Sequence, residues 1–406
     1  MNGWPCFLPD GEHFLYIADG DTSSADWTLK VGSTKSLDAT PLAKVNSRVD
    51  YANGYILYVR NNLLVAHQFD AGKLKLIGEP VPLTGSIAGL AERALFSASE
   101  DGTLIFQRGQ VGFQRLIISV DRYGDSAVQI GPSAPYVDFA LSPDNSRLAY
   151  AMGSDQQNVC DIWVRDLKRN VASRLTFGPG INAWPLWNYD GSKVLFTSNR
   201  SAGRFCVMQR NANGTGNDEK LFAIDSLDVS ATDASRDGSR LVLDASSANE
   251  DLWIYYTATG KVEPLLTQPY SELRGTLSPD GRLLAYQSNE TREAEIYIRE
   301  LSPTGGKWQV STAHGRCPRW RADGKELYYV TYDYDFMAVP ISYDKGLEIG
   351  APVKLFNRRY VFSGSQTLYP YATTSDGKKF YILSPKDQSK TTEFVIVQNW
   401  VEELKK

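Results

Sequence analysis

Side chains that could do chemistry are sparse and scattered. The 406-residue chain has three histidines, His13, His67 and His314, and four cysteines, Cys6, Cys160, Cys206 and Cys317. The cysteines form no Cys-x-x-Cys pair and are read as small buried apolar residues, with disulfides left open and unassigned; the redox compartment stays undetermined. Among the histidines, His314 lies near the start of an innermost strand of the repeat described below, and one histidine is a poor site for a transition metal. Arg316, Arg319 and Arg321 form a local basic cluster. Alternation along a strand points neighbouring side chains in different directions, so the cluster is not expected to converge. The acidic run Tyr332-Asp333-Tyr334-Asp335 does not match calcium-loop spacing and reads as a solvated hairpin.

The elements that would position such groups are set by a tight turn recurring every 43 to 53 residues. Its copies are Asp10-Gly11, Asn53-Gly54, Asp101-Gly102, Asp144-Asn145, Asp190-Gly191, Asp237-Gly238, Asp280-Gly281, Asp323-Gly324 and Asp376-Gly377. Alternating apolar runs such as Val194-Leu195-Phe196 and Leu283-Leu284-Ala285-Tyr286 follow the turns, and each turn reads as the type I′ corner of a β-hairpin. A third strand follows about a dozen residues later, as at Asp161 to Val164, and a shorter polar fourth closes the unit, as at Ser173 to Thr176. Four antiparallel strands per repeat at this spacing make the blade of a propeller.

The expected class is therefore all-β, a single β-propeller of about eight to nine four-stranded antiparallel blades. The repeats run approximately 1–45, 46–87, 88–136, 137–181, 182–227, 228–271, 272–314, 315–366 and 367–406. Composition agrees, with 12% aromatic residues, 33 Gly and 19 Pro, and no long segment shows helical periodicity. No Pro/Ser-rich or charged linker interrupts the series, so one continuous ring over residues 1–406 is expected. The last repeat runs out after a strand near Glu393 to Trp400. The ring is thus expected either to close by blade packing alone or to draw its missing strands from upstream of Met1.

The residues of the turns also carry a resemblance. Leu141-Ser142-Pro143-Asp144, Leu277-Ser278-Pro279-Asp280-Gly281, Phe196-Thr197-Ser198-Asn199-Arg200 and Gln287-Ser288-Asn289-Glu290 resemble the TolB-type, WD-like propeller repeat. Arg174-Leu175-Thr176-Phe177-Gly178-Pro179-Gly180, the stretch from Pro303 to Thr312, Pro318 to Leu327 and the closing Asn399 to Lys406 are similar to the C-terminal propeller region of large bacterial serine/threonine kinases, especially of acidobacterial type. The resemblance covers essentially the whole chain and implies a sensor or interaction domain. Kinase activity does not carry over, because the chain has no Gly-rich loop before a strand lysine, no His-Arg-Asp and no Asp-Phe-Gly.

Enzymatic relatives of the same repeat imply other chemistry. Prolyl-oligopeptidase-like hydrolases would need a Gly-x-Ser-x-Gly elbow, which is missing. Oligogalacturonate lyases gather several histidines at the ring centre, where this sequence offers only His314. Asp-Gly turns beside serine also suggest sialidase Asp boxes, but turn capping by Asp accounts for them.

The expected function is a non-catalytic ligand- or protein-binding module; the alternative is a propeller enzyme acting on a polysaccharide or glycoside. Ligands are expected at the mouth of the central channel, where Trp4, Asp138, Trp184, Arg274, Arg316 and Tyr369 stand at or beside the entry of the innermost strands. This mixture of aromatic faces and both charge signs suits a protein, peptide or small polar ligand, with no cofactor or metal. Arg274→Ala with Tyr369→Ala is expected to weaken binding with little loss of stability. Trp187 and Trp320, three residues before their turns, read as repeated core positions. Net charge is −4 with dispersed Lys and Arg, so a nucleic-acid partner is excluded. No apolar run approaches a membrane span and no signal-peptide pattern follows Met1. The expected location is soluble as written: periplasmic or extracytoplasmic if the chain derives from a membrane-anchored kinase, otherwise cytoplasmic.

Overall fold

A computed structural model describes residues 2–18, 27–45, 47–60, 63–87, 95–107, 114–153, 159–200, 204–246, 249–302, 304–343, 346–361, 369–386 and 394–404. Pro303, Glu393, Lys405 and Lys406, part of the segments quoted above, lie outside them. The described residues form antiparallel sheets of three to five strands and one short helix, Trp400–Glu403. They divide into two compact units: residues 1–113 with 387–406, and residues 114–386.

The first unit holds three sheets. Asn2–Phe7, His13–Ala18, Trp27–Ser33 and Ser36–Val45 form one, and Asp50–Ala52, Tyr55–Arg60, Leu63–Asp70 and Lys75–Ser86 the next. In the third, Phe394–Gln398 from the chain's end pairs with Thr103–Gln107, which pairs with Phe96–Ala98. Helical rather than extended, Trp400 is buried edge-to-face against Tyr55 at 5.8 Å.

The second unit holds six sheets, numbered here as blades from the innermost strand outward. The first blade orders Tyr371–Thr373, Lys379–Pro385, Arg115–Asp121 and Val128–Gln129; the second runs Tyr136–Leu141, Arg147–Gly153, Cys160–Asp166 and Val171–Arg174. The third is Asn182–Trp187, Lys193–Ser198, Cys206–Asn211 and Glu219–Phe222; the fourth is Asp228–Ala234, Arg240–Ser246, Glu250–Tyr256 and Lys261–Leu266. The fifth is Glu272–Leu277, Leu283–Ser288, Glu295–Glu300 and Lys307–Gln309. The sixth contains Gly315–Trp320, Glu326–Thr331 and Asp335–Ser342, whose outer edge takes Glu348–Ile349 and Val353–Asn357.

The strands missing from the last repeat come from inside the chain. Arg115–Asp121 pairs with Lys379–Pro385 in register Ile117↔Leu383 and Ile118↔Ile382, closing the first blade with strands from both ends of the unit. Repeats 88–136 and 367–406 therefore each share their strands between the two units, which a repeat count cannot reveal. The first blade is then fastened on both sides. Arg122 donates to Glu326 of the sixth blade at 2.6 and 2.9 Å, and Tyr371 donates its hydroxyl to the Cys317 carbonyl at 2.9 Å. Toward the second blade, Asn145 Nδ2 donates to Ser375 Oγ at 2.8 Å, and the Ser375 amide donates back to Asn145 Oδ1 at 3.1 Å.

Burial falls outward along each sheet for a simple reason. Second strands lie between neighbouring blades and need apolar residues on both faces, so Leu283–Ser288 is buried at every position. Fourth strands face water, and Val171–Arg174 is mostly exposed. Three of the four cysteines sit in these interiors as free thiols, with Cys6 half-buried. Burial pushes the Cys160 thiol up to about 12.

The turns differ from the expected type in all but one case. Asn53 and Gly54 both have positive φ, 52° and 80°, as a type I′ turn requires. Elsewhere only the final residue is left-handed. At Ser278-Pro279-Asp280-Gly281 the Gly281 amide donates to the Ser278 carbonyl at 2.7 Å, and only Gly281 has positive φ, 69°. Pro279 fixes a negative φ that a type I′ corner cannot use, so the chain makes a type I turn with a left-handed exit. Asp280 then accepts from Ser278 Oγ at 2.6 Å and from the Arg282 amide at 3.1 Å. The serine beside the turn is consumed by the turn itself.

Candidate functional site

Each innermost strand of the second to sixth blades carries an irregularity in its pairing. The register shifts between Tyr136 and Asp138, Ala183 and Leu186, Ala231 and Asp233, Leu273 and Thr276, and Arg316 and Arg319. Left-handed backbone marks three of these sites, at Trp184 (53°), Arg274 (53°) and Cys317 (56°). Bulges of this kind turn the strand and re-aim the side chains that follow. Here those residues stand four before the turn: Ala140, Leu186, Asp233, Thr276, Arg319 and, in the first blade, Ala372. All six line one cavity of about 520 Å³, together with the turn residues beyond them.

Much of the polar rim of this cavity is engaged within the fold, with the exposed Arg236 an exception. Ser142, Ser235, Ser278 and Thr374 donate to the turn aspartates Asp144, Asp237, Asp280 and Asp376 at 2.5 to 2.7 Å. Through these bonds, led by those from Ser142 and Ser235, the Asp144 and Asp237 carboxyls are lowered to about 2. Arg321 is held by Asp323 at 2.7 and 2.8 Å and by Glu326 at 2.7 Å.

Below the rim, Asp233 and Arg319 remain. Asp233 accepts from the Leu277 amide at 2.7 Å and from Thr276 Oγ1 at 3.0 Å; desolvation raises its carboxyl, with Arg319 opposing. Arg319 lies on the face of Tyr369, 3.6 Å from the ring centroid. Among the described residues it makes no hydrogen bond or ion pair, and its Nε is buried without a partner. A guanidinium with unfilled donors in a concave polar site is suited to a carboxylate or carbonyl acceptor.

None of the six sequence-selected residues lines this cavity, which opens at the exit of the innermost strands. Asp138 is 3% exposed and accepts from the Phe139 amide at 2.6 Å. Burial pushes its carboxyl up to about 8, against the Phe139 and Tyr369 amides and the charges of Arg319 and Arg274. Asp138, Arg274 and Tyr369 thus share one buried neighbourhood beneath the cavity. Arg316 stacks on Tyr332, 3.5 Å from its centroid. Trp184 packs on Phe205 at 5.4 Å, and Trp4 belongs to the first unit, against Trp27 at 5.6 Å.

Two expectations change as a result. Arg274 and Tyr369 are 3% and 4% exposed, with Arg274 donating to Gln287 Oε1 at 2.8 Å. Arg274→Ala and Tyr369→Ala should each lower the melting temperature, at a cost of about 2 kcal/mol or more. Unchanged unfolding midpoints for both variants would refute this placement. The arginine cluster does split, with Arg316 on Tyr332, but Arg319 and Arg321, two apart and on one face, both reach the cavity. Trp187 is core, as expected from the sequence, and donates Nε1 to the Ala140 carbonyl at 3.0 Å; the half-buried Trp320 donates to Thr276 at 3.2 Å.

The histidines have local roles. His13 bonds Asp10 at 2.6 Å, His67 bonds Tyr58 and the Gly78 carbonyl at 3.2 and 2.9 Å, and His314 stacks on Tyr332 with centroids 4.9 Å apart. Among the described residues no group of three or more His, Cys, Asp or Glu is placed to hold a metal ion. No described helix is long and apolar enough to cross a membrane.

Comparison with known proteins places this geometry. The family model for the TolB beta propeller domain matches residues 130–283. No curated protein matches the chain. The solved structure of a TolB homologue from Agrobacterium tumefaciens aligns with TM-score 0.55 at 14% identity, covering 67% of this chain and 98% of that one. TolB from Acinetobacter baumannii aligns with TM-score 0.47 at 17% identity, over 76% and 82% of the two chains. Oligogalacturonate lyase from Vibrio parahaemolyticus gives TM-score 0.38 at 13% identity, over 80% and 85%. The chain carries a TolB-like β-propeller fold.

Proposed function

We propose that this protein is a non-catalytic binding module whose six-bladed unit receives an extended peptide or a small polar molecule in its axial cavity. The observation that carries the reading is the convergence of all six innermost strands on one 520 Å³ cavity in which Arg319 keeps unfilled donors. Asp233 and Arg319 supply opposite charges across the cavity floor, and Thr276 anchors the acid. A ligand offering an acceptor to Arg319 and a donor to Asp233 would satisfy both. The remaining wall is small or apolar at Ala140, Leu186 and Ala372, which leaves room for a chain to lie across the mouth. The kinase-type sequence resemblance extends this reading to a sensor module for a kinase domain. Sequencing the native transcript upstream of Met1 tests that extension, which fails if an in-frame stop codon lies directly there.

Selection of peptides from a displayed library against the full chain, followed by calorimetry on Arg319→Gln, tests the binding site. The expected result is a loss of tenfold or more in affinity, about 1.4 kcal/mol or more, in a variant that still unfolds cooperatively. Selected peptides that bind Arg319→Gln as tightly as the parent protein would place the site elsewhere.

A further inference from the structure

A second, smaller cavity of about 20 Å³ lies at the other ends of the strands, where the third and fourth blades meet. Its size is that of one water molecule or one ammonium head group. Asp228, Asp244 and Glu250 line it with no lysine or arginine among the lining residues. Two half-buried aromatic rings, Trp184 and Phe205, form its wall with centroids 5.4 Å apart and planes at 59°. These groups come from different elements, and the bulge that gives Trp184 its left-handed backbone sets its ring there.

The carboxylates are not equally engaged. Asp228 Oδ1 accepts from the Phe205 amide at 2.8 Å, which ties the aromatic wall to the acid. Asp244 is 5% exposed, and its Oδ1 accepts from the Arg274 amide at 2.9 Å. Its Oδ2 is buried with no hydrogen-bond partner. Ser230 and Ser246 add hydroxyl oxygens. The carboxylates are too dispersed to form a shared metal site among the described residues. What the cavity offers is one orphaned acceptor, further negative charge, and aromatic faces on which an alkyl stem or a cation can rest.

We propose that this cavity is a binding site for a primary alkylammonium group, the head seated on Asp244 Oδ2 and the stem lying against Trp184 and Phe205. Three donors on an ammonium match the available oxygens: Asp244, Glu250 and the serine hydroxyls. Burial raises the Asp244 carboxyl to about 7 and Glu250 as well, with the nearby Arg274 opposing in both cases. A bound cation would relieve that cost of burying charge. The group could belong to a free amine or to a lysine side chain of a peptide.

Titration calorimetry on the full chain separates these cases. Butylammonium chloride is expected to bind saturably at millimolar concentration, butanol not at all, and Asp244→Asn to weaken binding at least tenfold. The asparagine can retain the acceptor for the Arg274 amide, so this variant should fold. Phe205→Leu should weaken butylammonium but not ammonium chloride. Stronger binding of an acetyl-lysine-methylamide capped only at its backbone, abolished by acetylating Nε, would identify lysine as the source; equal binding of butylammonium would identify a free amine. Absence of saturable butylammonium binding, equal affinity in Asp244→Asn, or equal affinity for butanol each overturns the proposal. Potassium or ammonium ions binding as tightly as butylammonium would do the same.

Discussion

Truncating Phe380 to alanine is expected to destabilise the 114–386 unit by about 3–5 kcal/mol, the range for removing a buried phenylalanine. Phe380 is fully buried in the first blade, where its ring meets Tyr371 at 6.4 Å. It also meets Tyr328, Phe336 and Phe356 of the sixth blade at 5.2, 6.1 and 5.4 Å. These aromatic contacts seat the first blade on the sixth, which precedes Tyr371–Thr373 in the chain, and the same apolar cluster takes in Ile118 and Val120 of the sequence-distant strand Arg115–Asp121. The loss should therefore appear as faster amide exchange in Arg115–Asp121 as well as a lower denaturation midpoint. A shift below about 1 kcal/mol, with unchanged exchange in that strand, would mean that the ring does not close through this cluster.

The second large effect is a pH dependence located at Asp138. Its carboxyl is raised in the folded state from an ordinary value near 3.8 to about 8 by burial. The folded protein then holds a proton that the unfolded chain has released. Stability from this group is present in full below about pH 4 and is lost as pH rises through 8. One proton changes stability by at most about 1.4 kcal/mol per pH unit, so up to about 4 kcal/mol separates pH 5 from pH 8. Asp138→Asn keeps an acceptor for the Phe139 amide while removing the titration. The variant should gain on the parent progressively between pH 5 and 8 in denaturant melts. A variant less stable than the parent at pH 8 would mean that Asp138 is ionised and paired with Arg319 and Arg274.

Much of the fold is legible in the turns. Nine Asp- or Asn-centred turns at blade spacing correspond to recurring hairpins, and Ser278-Pro279-Asp280-Gly281 shows why: each residue type serves that corner. What repetition hides is which strands join across long sequence distance. Nothing local distinguishes Arg115–Asp121 from the third strand of an ordinary blade, yet it pairs with Lys379–Pro385. Its two faces pack on both neighbouring blades, Ile117 against the second and Ile118 and Val120 against the sixth, and this non-local burial goes with that partner.

The cavity was partly legible for a related reason. Blade architecture directed attention to strand entries, and Asp138, Arg274 and Tyr369 do lie together there, but buried. The bulges reset alternation midway along the strands, as between Arg316 and Arg319. Counting back four residues from each turn aspartate would have found Asp233, Thr276 and Arg319 from the sequence alone. The small cavity beside Trp184 had no such signal, since Asp228, Asp244 and Glu250 share the fourth blade through strand register and only the packing of the third blade sets Trp184 and Phe205 against them.

Photocrosslinking tests most directly the claim that the axial cavity is the binding site. Tyr189 lines the cavity and is 53% exposed, whereas Tyr123, 75% exposed in the same unit, does not line it. With benzoylphenylalanine placed at one position or the other and a library-selected peptide added, the account predicts crosslinking from position 189 that Arg319→Gln suppresses, and none from position 123. Equal crosslinking from both positions, or a signal at 189 that Arg319→Gln leaves intact, would contradict it.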